Sequence, residues 1–197
     1  MKSNIILLLV VLGISCKDNS SEESTTEIKS IPTISYQIMG SYPHDETLFT
    51  EGLFVDNGLI FESTGSPANL PFTQSLVGVL DTASGKMDVK VRLDKSKYFG
   101  EGSTILNGKW YQLTYTSQTC FVYDAKTFKL INTFKYANKE GWGLTNDGSN
   151  LLMSDGSYKI TVVNPSNFSK VKEINVSENG YGIENINELE LMASENN

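Results

Sequence analysis

Glu51, Glu101, Trp142 and Asn187 occupy the same position of a recurring element, at separations of 50, 41 and 45 residues. The copies are Phe49-Thr50-Glu51-Gly52-Leu53, Phe99-Gly100-Glu101-Gly102-Ser103, Gly141-Trp142-Gly143-Leu144 and Ile186-Asn187-Glu188-Leu189. Two carboxyls, a large aromatic and an amide combine proton-transfer groups with an apolar wall and a hydrogen-bonding head. Unlike polar groups converging on one axis mark a site. Gly52, Gly100, Gly102, Gly141 and Gly143 flank them, and glycine permits close backbone approach at a crowded hub. A purely structural hub would carry small or apolar residues instead. The rival reading is that these glycine-rich starts merely turn the chain into each strand.

Other chemistries find less support. His44 is the single histidine, so a Ser-His-Asp or Cys-His arrangement would have to use it, and its Pro43-His44-Asp45 setting reads as a structural turn. Metal centres built on histidine clusters are excluded. Asp124, Asp147 and Asp155 read as turn residues that bond local backbone. No glycine loop that could cradle phosphate precedes a helix. The chain has 197 residues with 16 Lys+Arg against 23 Asp+Glu, a net charge of −7. That balance argues against a nucleic-acid partner, which requires basic patches.

The elements that must position these residues are short strands. No long apolar stripe of helical period exists. Ile34, Tyr36 and Ile38 alternate with polar neighbours, which predicts a half-buried strand. Asp56-Asn57-Gly58, Asn107-Gly108 and Asp147-Gly148 are hairpin signals, because Asn-Gly and Asp-Gly tolerate positive φ. A second element recurs in phase with the first: Asp81-Thr82-Ala83-Ser84-Gly85-Lys86, Asp124 to Lys129 and Asn164 to Ser169, at intervals of 43 and 40 residues. A period of 40–50 residues with about four strands per unit is a β-propeller pattern. It places the first strand of each blade, and hence Glu51, Glu101, Trp142 and Asn187, on the central channel. A β-sandwich with coincidental turn spacing is the alternative. Cys120, between Thr119 and Phe121, reads as a buried strand residue.

The N-terminus reads as an address. Lys2 precedes an apolar run, Ile5 to Ile14, that is too short for a bilayer span of about 20 residues but suits a signal-peptide core. Gly13-Ile14-Ser15-Cys16 resembles a bacterial lipoprotein box, which predicts residues 1–16 as signal peptide and acylation at Cys16. An ordinary signal peptide with an incidental cysteine is the rival. Residues 17–32 are polar and predict a flexible tether, leaving 33–197 as the propeller domain. The expected location is the cell envelope, periplasmic or surface face, with the membrane as a partner through the lipid anchor.

Tyr42-Pro43-His44-Asp45, Phe49-Thr50-Glu51-Gly52-Leu53, Glu62-Ser63-Thr64-Gly65, Phe99-Gly100-Glu101-Gly102, Glu140-Gly141-Trp142-Gly143-Leu144-Thr145, Ser154-Asp155-Gly156-Ser157 and Asn187-Glu188-Leu189-Glu190 occur in this order. The series resembles the plant and bacterial type of glutaminyl-peptide cyclotransferase, a five-bladed propeller, from about Tyr36 to Glu190. The resemblance implies conversion of an N-terminal glutamine of a peptide or protein to pyroglutamate with release of ammonia. It implies Glu101 as the catalytic residue and Phe49, Glu51, Tyr115, Trp142 and Asn187 as substrate-binding residues. It implies no catalytic metal and no required cofactor, leaves room for a structural calcium, and fits a monomer.

The chain departs from the family at Glu51, where glutamine is usual, and at Tyr115, where tryptophan is usual. Glu51 adds a second negative charge near Glu101, which raises one carboxyl's pKa or helps hold the substrate's α-ammonium. Counted from Ile34 the chain supplies 164 residues, whereas five blades of about 45 need roughly 225. About 3.5 blades are therefore expected, with the family's later tryptophan and lysine lacking a counterpart. Weak or absent turnover by this stretch alone follows as an expectation. The competing class is a non-catalytic surface lipoprotein that binds or scaffolds. A propeller lactonase or sugar-acting enzyme would need a richer Asp/His centre at the hub.

Overall fold

A computed structural model describes residues 35–192. The expected signal peptide, Cys16 and tether lie outside the described residues.

Three four-stranded antiparallel sheets follow one another along the chain. Sheet 1 is β1 (Phe49–Asp56), β2 (Leu59–Gly65), β3 (Leu76–Leu80) and β4 (Met87–Arg92). Sheet 2 is β5 (Gly100–Leu106), β6 (Lys109–Thr114), β7 (Thr119–Asp124) and β8 (Leu130–Lys135). Sheet 3 is β9 (Leu144–Asn146), β10 (Leu151–Ser154), β11 (Lys159–Val163) and β12 (Lys170–Asn175). A two-stranded hairpin follows, β13 (Ser177–Glu178) with β14 (Tyr181–Gly182). In every sheet, strands adjacent in sequence are adjacent in space. This all-β series of meanders is the propeller architecture the repeats predict.

The turns explain the regularity. Asn57 and Gly58 have φ of 49° and 76°, and Asn107 and Gly108 have 51° and 72°. Two successive positive φ values make the tight turn whose twist matches antiparallel strands. Asp147 instead caps a longer loop, accepting hydrogen bonds from the backbone N–H groups of Ser149 and Asn150 at 2.9 and 2.6 Å. The second repeated element forms three equivalent loops before the outer strands. Gly85 N–H donates to Asp81 O, Phe128 N–H to Asp124 O and Phe168 N–H to Asn164 O.

In sheets 2 and 3 the outer strands β8 and β12 are almost wholly exposed, while β5 is buried along nearly its whole length; in sheet 1 the inner strand β1 is half exposed and β2 carries most of the burial. Between sheets 1 and 2 lie Phe54, Phe61, Val77, Trp110 and Tyr123. Trp110 is fully buried and meets Phe61 edge-on at 5.0 Å; truncating it to alanine costs about 3–5 kcal/mol. Between sheets 2 and 3 lie Leu113, Cys120, Val122, Leu144, Leu151, Met153, Val163 and Phe168. Cys120 is buried on β7 with its thiol unpaired, and burial pushes that thiol far up.

One expectation fails. Residues 35–48 form no strand, and Tyr36 and Ile38 are 89% and 78% exposed. Alternation marks a strand only where a neighbouring edge can complete its hydrogen bonds, and no strand among the described residues pairs with this segment. What holds the segment is Asp45 N–H, bonded to Gly85 O at 3.1 Å, and His44, whose Nε2 lies 3.1 and 3.2 Å from the two oxygens of Glu62.

Candidate active site

The inner strands open with β-bulges. On β1, Thr50 pairs with Thr64 and Gly52 with Ser63, so Glu51 is the extra residue. On β5, Gly100 pairs with Thr114 and Ser103 with Gln112, again breaking register around Glu101. A bulge re-aims a side chain that regular pleating would send into a sheet face, and here it turns both carboxyls to the hub. The Glu101 backbone is fixed by Ser63, whose hydroxyl donates to Glu101 O at 2.6 Å. Gly102 N–H donates to Trp142 O at 2.9 Å, joining sheet 2 to the start of sheet 3. A Cβ at Gly102 would come within 2.5 Å of backbone atoms of Trp142 and Leu144, so only glycine allows this approach.

The result is a cavity of about 530 Å³ lined by Glu51, Ser66, Pro67, Ala68, Phe99, Glu101, Tyr115, Trp142 and Asn187. Glu101 is 5% exposed. Burial pushes its carboxyl up to about 9, reinforced by the Glu51 charge, by a hydrogen bond with Glu51, and by Glu188 and Glu140. Burial also pushes Glu51 up to about 7, with Glu188 adding to the rise and the Glu101 hydrogen bond opposing it. Burial and mutual repulsion favour keeping a proton on the pair, most of all on the more deeply buried Glu101. Like charges brought together split into an acid and a base in this way.

The aromatic wall is held from behind. Trp142 N–H bonds Ser154 O at 3.0 Å, and its indole Nε1–H donates to Glu140 Oε2 at 2.9 Å. Gly156 lies against the indole ring; with φ of +79° it is also a position that a side chain would strain. Phe99 packs against Tyr115 at 6.0 Å and receives the Phe49 ring edge-on at 6.4 Å. Asn187 enters from the segment after β14, whose backbone packs on Gly143.

Five of the six residues singled out in the sequence thus meet at the cavity: Glu51, Glu101, Tyr115, Trp142 and Asn187. Phe49 stands behind Phe99 rather than on the wall. Sequence reasoning passes over Phe99 itself, though it aligns with Phe49 in the repeat. It also misses Glu140 and the β2–β3 loop residues Ser66 to Ala68, which belong to no repeated element. His44 is more than a turn residue, because it bonds the fully buried Glu62. Among the described residues, no group of three or more His, Cys, Asp or Glu side chains is arranged to hold a metal ion.

The comparisons with known proteins bear on the family and the fold. The family model described as glutamine cyclotransferase matches residues 7–196. A glutaminyl-peptide cyclotransferase of Arabidopsis thaliana is 33% identical over 160 residues, covering 81% of this chain and 48% of that protein. The crystal structure of Myxococcus xanthus glutaminyl cyclase superposes with a TM-score of 0.70 at 32% identity, covering 79% of this chain and 63% of that one. The chain therefore spans about half the length of the curated relative and under two thirds of the solved structure.

Proposed function

The chain belongs to the glutamine cyclotransferase family, and from that premise we propose that its cavity cyclises the N-terminal glutamine of peptides or proteins to pyroglutamate. The observation that carries this reading is that the two carboxyls, Glu51 and Glu101, line one cavity together with Phe99, Tyr115 and Trp142.

The substrate's α-amine attacks its own side-chain amide carbon, closing a five-membered lactam and expelling ammonia. Both reacting groups belong to one residue, so the protein's task is to hold that residue folded. Phe99, Tyr115 and Trp142 wall its methylenes and exclude water. Glu51, ionised, takes up a proton from the amine as the new C–N bond forms. Glu101, protonated, gives one to the departing nitrogen. The pair passes its proton back internally, so it ends the cycle as it began. Asn187 offers its amide hydrogens to the oxygen that gains charge in between.

The test is ammonia release from a glutamine-initiated dipeptide by this chain and by the chain extended with its downstream coding sequence, each beside its Glu101→Gln variant. Release by either parent above that of its variant supports the reading. Equal release within both folded pairs sinks it and favours a binding or scaffold role.

We also propose, from the apolar run Ile5 to Ile14 and the Gly13-Ile14-Ser15-Cys16 box, that the protein is exported and acylated at Cys16. Incorporation of a fatty-acid label, abolished by Cys16→Ser, is the expected result.

A further inference from the structure

Glu140 has no place in the reaction just described, yet its carboxylate sits directly behind the aromatic wall. It is half-buried and lies two residues before Trp142, with Gly141 between them. Gly141 N–H bonds Tyr115 O at 3.0 Å, which draws the backbones of residues 115 and 141 together. One oxygen of Glu140 accepts the Trp142 indole N–H at 2.9 Å. Burial first, and the Glu140 charge second, raise the pKa of the Tyr115 hydroxyl. Glu140 therefore holds the edge of the Trp142 ring while its charge acts on a second cavity aromatic that arrives from another sheet.

We propose that Glu140 is a positioning residue that fixes the Trp142 ring against the rest of the aromatic wall and so sets the width of the slot for the substrate's glutamine side chain. The activity side of this proposal rests on the cyclisation reading; the structural side does not.

The physical case has three parts. An indole N–H is a donor with no alternative role, so its direction fixes the ring's rotation about the Cα–Cβ and Cβ–Cγ bonds. A hydrogen bond to a charged acceptor is shorter and stronger than a neutral one. The far face of the Trp142 ring rests on Gly156, so the ring is held on one face and one edge and presents the other face to the cavity. Without Glu140 the edge restraint is lost, and the wall can rotate without unfolding any strand.

The experiment uses the full chain, with Glu140→Ala and Glu140→Gln, and has two arms. The first follows the indole N–H resonances of the two tryptophans by nitrogen-15 NMR, the Trp142 signal being assigned by its loss in Trp142→Phe. In Glu140→Ala the Trp142 indole signal moves upfield and its exchange with water speeds up at least about 10-fold, while the Trp110 signal stays in place. In Glu140→Gln the amide oxygen still accepts the bond, and the signal remains near its parent position.

The second arm measures steady-state cyclisation. Glu140→Ala lowers kcat/KM about 10-fold, mostly through KM, because a wall that contacts the methylenes equally in ground and transition states supplies uniform binding. Glu140→Gln recovers to within about 3-fold of the parent. An unmoved Trp142 indole signal in Glu140→Ala overturns the proposal whatever the activity. So does a released indole with kcat/KM unchanged within about 2-fold. If the parent itself turns over no glutamine peptide, the cyclisation reading fails, and the NMR arm alone decides whether Glu140 positions the wall.

Discussion

Glu62 on the flank of sheet 1 and Glu101 on the cavity floor are both withdrawn from water, at 0% and 5% exposure, yet they meet opposite surroundings. Glu62 is supplied with donors: His44 Nε2 faces both oxygens at 3.1 and 3.2 Å, and the Thr50 hydroxyl donates at 2.6 Å. Among the described residues no cation is paired with Glu101, and the charged groups that act on it are Glu51, Glu188 and Glu140. A buried carboxyl with matched donors fastens one piece of chain to another. A buried carboxyl facing its own kind is held in a protonation state that it would not choose in water, and such groups gather at functional sites. The difference separates a latch from a candidate reaction centre.

The sharpest break in this comparison is Glu101→Gln. It removes the proton donor, and cyclisation should fall roughly 1,000-fold, while thermal unfolding at pH 8 shows a protein at least as stable as the parent. A large loss of stability would make Glu101 structural, like Glu62.

The converse change is His44→Ala. It leaves the Glu62 carboxyl buried with Thr50 as its remaining side-chain donor and should cost about 3 kcal/mol in denaturant unfolding. An unchanged midpoint would remove the latch from the account.

Glu51→Gln probes the pair through pH. A carboxyl whose folded-state pKa is raised keeps its proton longer in the folded chain than in the unfolded one. The pair's contribution to stability is therefore greatest at low pH and declines as pH rises from the ordinary value of 4.5 through about 7 for Glu51 and on to about 9 for Glu101. The variant lacks one of the two charges, so its melting temperature should vary less between pH 5 and 9, with a gain of about 1–2 kcal/mol at pH 8. In the parent, kcat/KM should peak between about 7 and about 9, where the pair holds one proton. A pH-independent melting temperature would mean that the two carboxyls do not interact.

The smallest expected effect is Thr50→Val, which removes one donor from Glu62 and should cost about 1 kcal/mol, measured by the same unfolding transition.

Much of this arrangement is legible in the order of the amino acids. The spacing of Glu51, Glu101, Trp142 and Asn187 predicts their convergence because a propeller repeats its inner strand at a fixed interval, and the Asn-Gly pairs locate two of the tight hairpins. The rest depends on contacts between segments rather than on period. Ser66 to Ala68 reach the cavity from a loop with no repeat. Glu140 matters through the indole edge it holds, and Glu62 through a histidine 18 residues away in sequence. Tyr36 and Ile38 mislead for the related reason that alternation is a local property and strand pairing is not. Phe49 and Phe99 share a repeat position, but that alignment does not say which ring stands in front.

The most direct test of the central claim is a carbon-13 NMR titration of the glutamate carboxyls, assigned with Glu101→Gln and Glu51→Gln. The account predicts that the carboxyl lost in Glu101→Gln is still protonated at pH 7 and ionises toward about 9, and that the one lost in Glu51→Gln titrates near 7. Two carboxyls that both titrate near the ordinary value of 4.5 would contradict it, since no shared proton would then remain for the reaction to use.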